Sequence, residues 1–492
     1  MMQKRKKRLR QEDTPLLDAM QAYAAEPITA FHTPGHKQGQ GIHNRYRSLI
    51  TEFGLKMEVS LMEELDDLHD PQMCIKDAQD LAAELYGADE TIFSVNGTTG
   101  AIQIMLLTAL QPGDKILVPR NVHRSIMSGI MLAGAVPVFM QPEINDGLGI
   151  AMNVDSDVVC KAIANHQDAV AVLVINPTYY GVTCDIEQIA QIVHEADMVL
   201  LVDEAHGPHL KFHPALPLQA LDAGADLVAQ STHKIIGSLT QTSVLHARFK
   251  RIDKQRLHTM NSIVQSTSPN YLLLASLDVA RLQMATNGYD LLDKAVKLAD
   301  WARQEINKIE GLYCFGEECL QRPGAFSLDK TKLTVTVTGL GIDGVMAEQI
   351  LRQQYKIQLE LADARNVLFI ISFADTVVTV QYLIEALQGL AQQFNGSISR
   401  VLTEKIVLPP IPSRDLLPRE ALFAAKSTVS FAKAAGRVCG EFITFYPPGI
   451  PVICPGEIID TLTISYCQQM KALGLKVAGP VDTNLNTIRV VE

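Results

Sequence analysis

From about residue 90 to 250, short apolar runs alternate with longer stretches whose apolar residues recur every three or four positions. The runs are TIFSV (91–95), KILVP (115–119), AVPVFM (135–140), AVAVLVIN (169–176), DMVLLVDE (197–204) and ADLVAQ (225–230). Several are apolar throughout, which is the pattern of parallel strands covered on both faces. Between them lie TTGAIQIMLLTAL, HRSIMSGIMLAG, VVCKAIANH and IEQIAQIVHEA, all with helical spacing. This alternation predicts an α/β fold built on a doubly wound, mostly parallel sheet.

Downstream the pattern changes. Residues 272–310 predict long helices, with LLLASLDVARLQMA and DLLDKAVKLADWARQEINKI as their apolar stripes. KLTVTVTGL (332–340), MAEQILRQQ and NVLFIISFA (366–374) predict a second, smaller α/β unit. The Pro-rich stretch LPPIPSRDLLPRE (408–420) reads as a linker. Beyond it are one more helical pattern and the turn-rich FYPPGIPVICPGE. The division expected is a tail and arm over 1–60, a large domain over 61–300, a small α/β domain over 301–400, a linker over 401–420 and a C-terminal domain over 421–492. No internal repeat or low-complexity tract interrupts it.

Composition narrows the function. Of the 492 residues 47% are apolar and 20% charged, enough for large packed cores. The net charge of −11 argues against a nucleic-acid-binding surface. Eight scattered cysteines form no CxxC, so reduced thiols and a cytoplasmic location are expected rather than a zinc knuckle. The basic start MMQKRKKRLRQ has no apolar segment behind it, so it reads as a solvated tail and not a secretory signal. No apolar run approaches the ~20 residues of a membrane span.

Ligands of such sheets bind beyond the carboxyl ends of the strands, and polar clusters stand there. NGTTG follows TIFSV and opens a helix, so Gly97, Thr98 and Thr99 offer N–H groups and hydroxyls to an anion. RNVHRS follows KILVP and presents His123. VDEAHG ends the fifth run with Asp203 and His206. STHK follows ADLVAQ with Ser231, His233 and Lys234. An anion cradle, a strand-end carboxylate and a lysine one helix and one strand later suit pyridoxal 5'-phosphate. Its aldehyde takes a lysine amine as a Schiff base, and its ring nitrogen takes a carboxylate. The apolar neighbours Ile235 and Ile236 favour the neutral lysine such an attack requires.

FHTPGHKQGQG (31–41), ELDDLHDPQMCIKDAQ (64–79), VNGTTG, RNVHRS, VDEAHG, STHK, QSTSPNY (265–271) and YPPGIPVICPGE (446–457) occur in that order. Over about residues 15–490 the chain resembles the bacterial-type ornithine/lysine/arginine decarboxylases. It is similar to their short form, without the N-terminal wing domain. The resemblance implies the aminotransferase-like fold type I and decarboxylation of a basic L-amino acid to its amine, in polyamine or diamine formation. It implies Lys234 as the Schiff-base lysine, Asp203 as the pyridinium partner and His123 as the ring-stacking histidine. His206 lies near the reacting carboxylate, and either His206 or His233 assists proton transfer. Gly97, Thr98, Thr99, Ser231 and His233 match phosphate binders. Thr267 and Ser268 match the segment reaching the partner subunit's cofactor, so at least a homodimer with composite sites is expected. Glu457 resembles an acid near the substrate's distal cation. In PTYYG, Tyr180 stands where the family's usual pattern has an acidic residue.

Other readings stay open at this level. A fold-type-I aminotransferase or lyase would use the same cofactor residues, and a non-catalytic regulatory homologue would keep only the fold. A metal hydrolase would need His206, His209 and His213 beside Glu204 as ligands. Gly207–Pro208 break the helix that such ligands require, and no metal is expected.

Overall fold

The computed structural model describes residues 8–394, 409–446 and 450–492. Residues 1–7 of the basic tail, 401–408 of the expected linker and Pro447–Gly449 lie outside that description. The chain divides into two compact units. The first comprises Met1–Ala109, Val199–Pro214 and Leu218–Leu291, and the second Leu110–Met198, Ala215–Pro217 and Leu292–Glu492.

In the first unit four strands pair in the order Glu90–Ser94, Ser243–Ala247, Leu227–Gln230 and Val199–Asp203. The last two are parallel, but Ser243–Ala247 runs antiparallel to both its neighbours. Ser243–Ala247 (SVLHA) was not anticipated. Its serine and histidine break the apolar run, yet all five residues are buried. A strand so short carries its signal in what it packs against, not in its own composition. The core includes Leu16, Met20, Ile75, Phe93, Val244 and Tyr271. Leu16 and Met20 belong to the helix Pro15–Ala25, so the expected arm is anchored at this helix. Arg281 holds it there, donating to the carbonyl of Asp13 at 2.6 Å and pairing with the buried Asp278 at 2.7 Å.

In the second unit Lys115–Pro119 lies parallel to both Val136–Met140 and Ala169–Ile175. Lys332–Thr336 and Asn366–Ile370 pair antiparallel and pack on the helices Gly344–Gln354 and Val377–Phe394. The C-terminal segment adds the pair Lys426–Ser430 and Thr487–Val491, a three-stranded sheet around Ile443–Tyr446, and the helix Thr461–Ala472. Residues 272–306 form one helix, Tyr271–Ile306, where two stripes suggested more than one. TNGYD between the stripes holds the only breaker, and one glycine costs a long helix only about 1 kcal/mol.

The described part of the expected linker is not a free connection. Ser413 accepts from the N–H of Ile458 at 2.8 Å, Asp415 N–H donates to Gly456 at 2.9 Å, and Arg414 donates to the Pro137 carbonyl at 2.6 Å. Pro418 then opens the helix Pro418–Phe423 from its first position, where its missing N–H costs nothing.

Candidate active site

The first unit gathers Gly97, Thr98, Asp203, His206, Ser231, His233 and Lys234. Lys234 sits on a single helical turn, Thr232–Ile235, directly after the strand Leu227–Gln230. The flanking Ile235 and Ile236 are buried and Lys234 itself is half-buried, so the lysine is not a solvated surface group. Its Nζ lies 3.0 Å from His206 Nε2. Asp203 ends the parallel strand Val199–Asp203, and its carboxylate accepts the Ala205 N–H at 3.1 Å. Burial pushes the Asp203 carboxyl up, and the positive charge of Lys234 opposes that shift. Asp203 and the turn that carries Lys234 stand at the ends of adjacent parallel strands.

The segment expected to cradle an anion carries hydroxyls that are paired with one another. Gly97 adopts φ +66° where the chain turns from strand to the helix Gly97–Ala109, and its N–H donates to the Gln241 carbonyl at 2.8 Å. Ser243 Oγ donates to the Gln230 carbonyl at 2.7 Å, which uses its one proton. Thr98 must then donate to Ser243 at 3.0 Å, and Ser231 must donate to Thr98 in the short contact between them. The result is a relay from Ser231 through Thr98 and Ser243 to the backbone, at the positive end of a 13-residue helix. Thr99 is exposed beside it. His233 Nδ1 donates to the Thr242 carbonyl at 2.7 Å, fixing the ring and its tautomer. Thr267 and Ser268 are exposed on the segment before Tyr271.

Behind this face runs a buried network the sequence did not reveal. Glu204 accepts the Ala220 N–H at 2.8 Å and the Gln230 amide at 2.7 Å. Gln230 meets His246 Nε2 at 3.1 Å, and His246 Nδ1 meets Thr91 at 2.7 Å. Glu204 thus accepts from a backbone N–H and an amide. Among the described residues no group of three or more His, Cys, Asp or Glu is arranged to hold a metal.

His123 and Glu457 belong to the second unit. His123 caps the helix Arg124–Ala133, with Nδ1 accepting the Ser125 N–H at 3.3 Å and meeting its hydroxyl at 2.8 Å. Glu457 is 1% exposed, so it is not a loop glutamate in solvent. Its carboxylate takes a fork from Arg120 at 2.5 and 2.9 Å and the Cys454 N–H at 2.7 Å. Tyr180, which replaces the usual acid of its segment, is buried and donates to Asp363 at 2.7 Å. The Arg120–Glu457 pair was invisible because its members stand 337 positions apart.

Known proteins resemble this chain over its length. The chain is 46% identical over 483 residues to an arginine decarboxylase of Halalkalibacterium halodurans, covering 98% of each chain. It is 45% identical over 482 residues to the arginine decarboxylase of Bacillus subtilis, again covering 98% of each. The crystal structure of the Francisella novicida lysine decarboxylase LdcF superposes with a TM-score of 0.86 at 23% identity, covering 97% of this chain and 81% of that one. That likeness carries the aminotransferase-like fold of the pyridoxal-phosphate decarboxylases. Residues 14–378 match the major domain of the Orn/Lys/Arg decarboxylases and residues 409–480 their C-terminal domain. With a whole-length likeness to two arginine decarboxylases and both family domains in order, this chain belongs to the Orn/Lys/Arg decarboxylase family.

Proposed function

We propose that this chain releases the α-carboxylate of a basic L-amino acid as carbon dioxide, on pyridoxal phosphate carried by Lys234. The names of its relatives favour L-arginine as the substrate. The observation that carries the reading is the 3.0 Å pairing of Lys234 Nζ with His206 Nε2, with the buried Asp203 at the end of the adjacent parallel strand. The residues fit the cofactor. An amine is present for its carbonyl, a desolvated carboxylate for its ring nitrogen, and a helix N-terminus beside the Ser231 hydroxyl for its phosphate. Bound there, the cofactor supplies a cationic ring that accepts the electron pair left at Cα when the carboxylate departs.

The chain's own groups have distinct tasks. Lys234 would hold the cofactor through its amine. His206 stands where it can take a proton from Lys234 Nζ and return it. A ring cation facing Asp203 would offset the desolvation that raises this carboxyl, keeping it charged. Ser231, first in the relay, can turn its proton from Thr98 to a phosphate at the helix N-terminus. There the Gly97 N–H is held by Gln241 and the N–H groups of Thr98 and Thr99 would serve, and His233 keeps its ring fixed through Thr242. His123, its orientation set by Ser125, would be the ring-stacking histidine that the family resemblance implies. The exposed Thr267 and Ser268 reach the phosphate in a partner subunit, which makes the working unit a homodimer. The amine product suits polyamine or diamine formation.

The test is incubation of the purified protein and cofactor with arginine, lysine and ornithine in turn, measuring carbon dioxide and identifying the amine. Arginine should give the fastest release. Keto-acid formation without carbon dioxide would make the chain an aminotransferase instead. Lys234→Ala should lose turnover and the absorbance of the tethered cofactor together; turnover retained by that variant would sink the role of Lys234.

A further inference from the structure

Glu457 looks like an acceptor for the substrate's distal cation, yet its surroundings give it another task. Arg120 already spans both carboxylate oxygens with two N–H donors. A second N–H from the same guanidinium nitrogen reaches the Val452 carbonyl at 2.8 Å, and the plane of Arg120 lies 4.6 Å from the Phe139 ring centroid. The Cys454 N–H takes a further position on Glu457. The charge is neutralised, the fork geometry is satisfied, and both side chains are at least nine-tenths buried.

Each end of the pair is anchored. On one side, Arg120 directly follows the strand Lys115–Pro119, and its N–H donates to Met140 at 2.9 Å. Asn121 then donates to the Met152 carbonyl at 3.0 Å, and two residues on comes His123, the cap of the next helix. On the other side, the turn Pro455–Glu457 is held by the Gly456 N–H to Cys439 at 2.8 Å and by the Cys439 N–H to Glu457 at 2.7 Å. A buried ion pair between two fixed backbones adds little net stability but specifies one arrangement.

The geometry points to Glu457 as a positioning residue: through Arg120 it ties the C-terminal module to the strand end that carries His123, and it does not receive the substrate's distal cation. This rests on the decarboxylase reading of the site. It makes Arg120 and Glu457 one functional unit and leaves selection of the distal cation to other groups.

The test uses the holoenzyme with Glu457→Gln, Arg120→Gln, the double variant, and the milder pair Glu457→Asp and Arg120→Lys, which keep charge but break the fork. Each is assayed for carbon dioxide release from arginine and from citrulline, whose distal group is neutral, and for cofactor absorbance. The two Gln variants should lose kcat alike, by about 100-fold, as a misplaced catalytic loop does. The arginine-to-citrulline ratio should hold, the double variant should be no worse than either single one, and the cofactor band should shift in all three. The milder pair should show the same pattern with smaller losses, and so decides the matter if the Gln variants fail to fold. If Glu457→Gln or Glu457→Asp raises KM for arginine selectively while the matching Arg120 variant does not, Glu457 is the cation acceptor and the inference falls. Wild-type protein that decarboxylates none of the three basic amino acids would instead overturn the decarboxylase reading, while the cofactor band would still report the coupling of Arg120 with Glu457.

Discussion

At the scale of single residues, Asp203 shows how a cofactor site is prepared at the expense of the empty protein. Its carboxyl is raised by burial, so protonation is easier in the folded than in the unfolded chain. Its contribution to stability is therefore full below the unfolded carboxylate value, about 3.9, and is lost as the pH rises through its higher folded value. Above that value the cofactor-free protein carries a desolvated charge. Asp203→Asn should make the cofactor-free protein more stable wherever Asp203 is charged, with the gain vanishing in acid. The same variant should hold the cofactor less tightly. Thermal melting of the cofactor-free protein against pH, alongside cofactor titration, checks both; a melting temperature unchanged at every pH would contradict the cost assigned to the charge. Lys234, Asp203 and His206 were legible because strand-end chemistry sits within short segments. Ser243 was not, since its hydroxyl matters only through Thr98 and Ser231, which approach it from other elements.

At the scale of elements, the Ser243–Ala247 strand places His246 in the buried network from Thr91 to Glu204. Burial, with a smaller push from the charge of Lys211, lowers the His246 imidazole to about 3. This base has a folded value below its unfolded one, near 6.5. The neutral ring's contribution is thus complete above pH 6.5 and is lost as the pH falls toward 3. His246→Gln should remove about one proton from the uptake on unfolding at pH 5, measured as a shallower slope of stability against pH between 7 and 4. An unchanged slope would mean that His246 titrates normally. The turn at Gly456 makes a different demand on its residue. It has φ +90°, and a Cβ there would stand 2.2 Å from the Leu416 carbonyl oxygen. Gly456→Ala should cost about 2 kcal/mol, from backbone strain alone, read by chemical denaturation. The Pro-rich stretch before it resembled a linker because composition records missing donors, while its docking depends on the partners Gly456, Ile458 and Pro137.

At the scale of the whole molecule, the described residues contain no helix long and apolar enough to cross a membrane, and all eight cysteines are free. The proposed reach of the exposed Thr267 and Ser268 into a partner subunit's site would make function a property of an assembly. Mixing Lys234→Ala with a Thr267→Ala, Ser268→Ala double variant, after dissociation and reassociation, should restore about a quarter of the wild-type sites, since half the random dimers are mixed and each has one intact site. Activity that stays at the level of the unmixed variants would show that the segment serves its own subunit. The sequence by itself determined the strand–helix alternation, the order of the family segments, and the identity of the lysine and carboxylate at the strand ends. These follow from periodicity and local motifs, which neighbouring residues encode. Only the tertiary structure decided the antiparallel strand Ser243–Ala247, the docking of the Pro-rich stretch, the hydroxyl relay, and the capture of Glu457 by Arg120. Those depend on groups tens to hundreds of positions apart, and which buried charge meets which is settled by packing rather than by any local pattern.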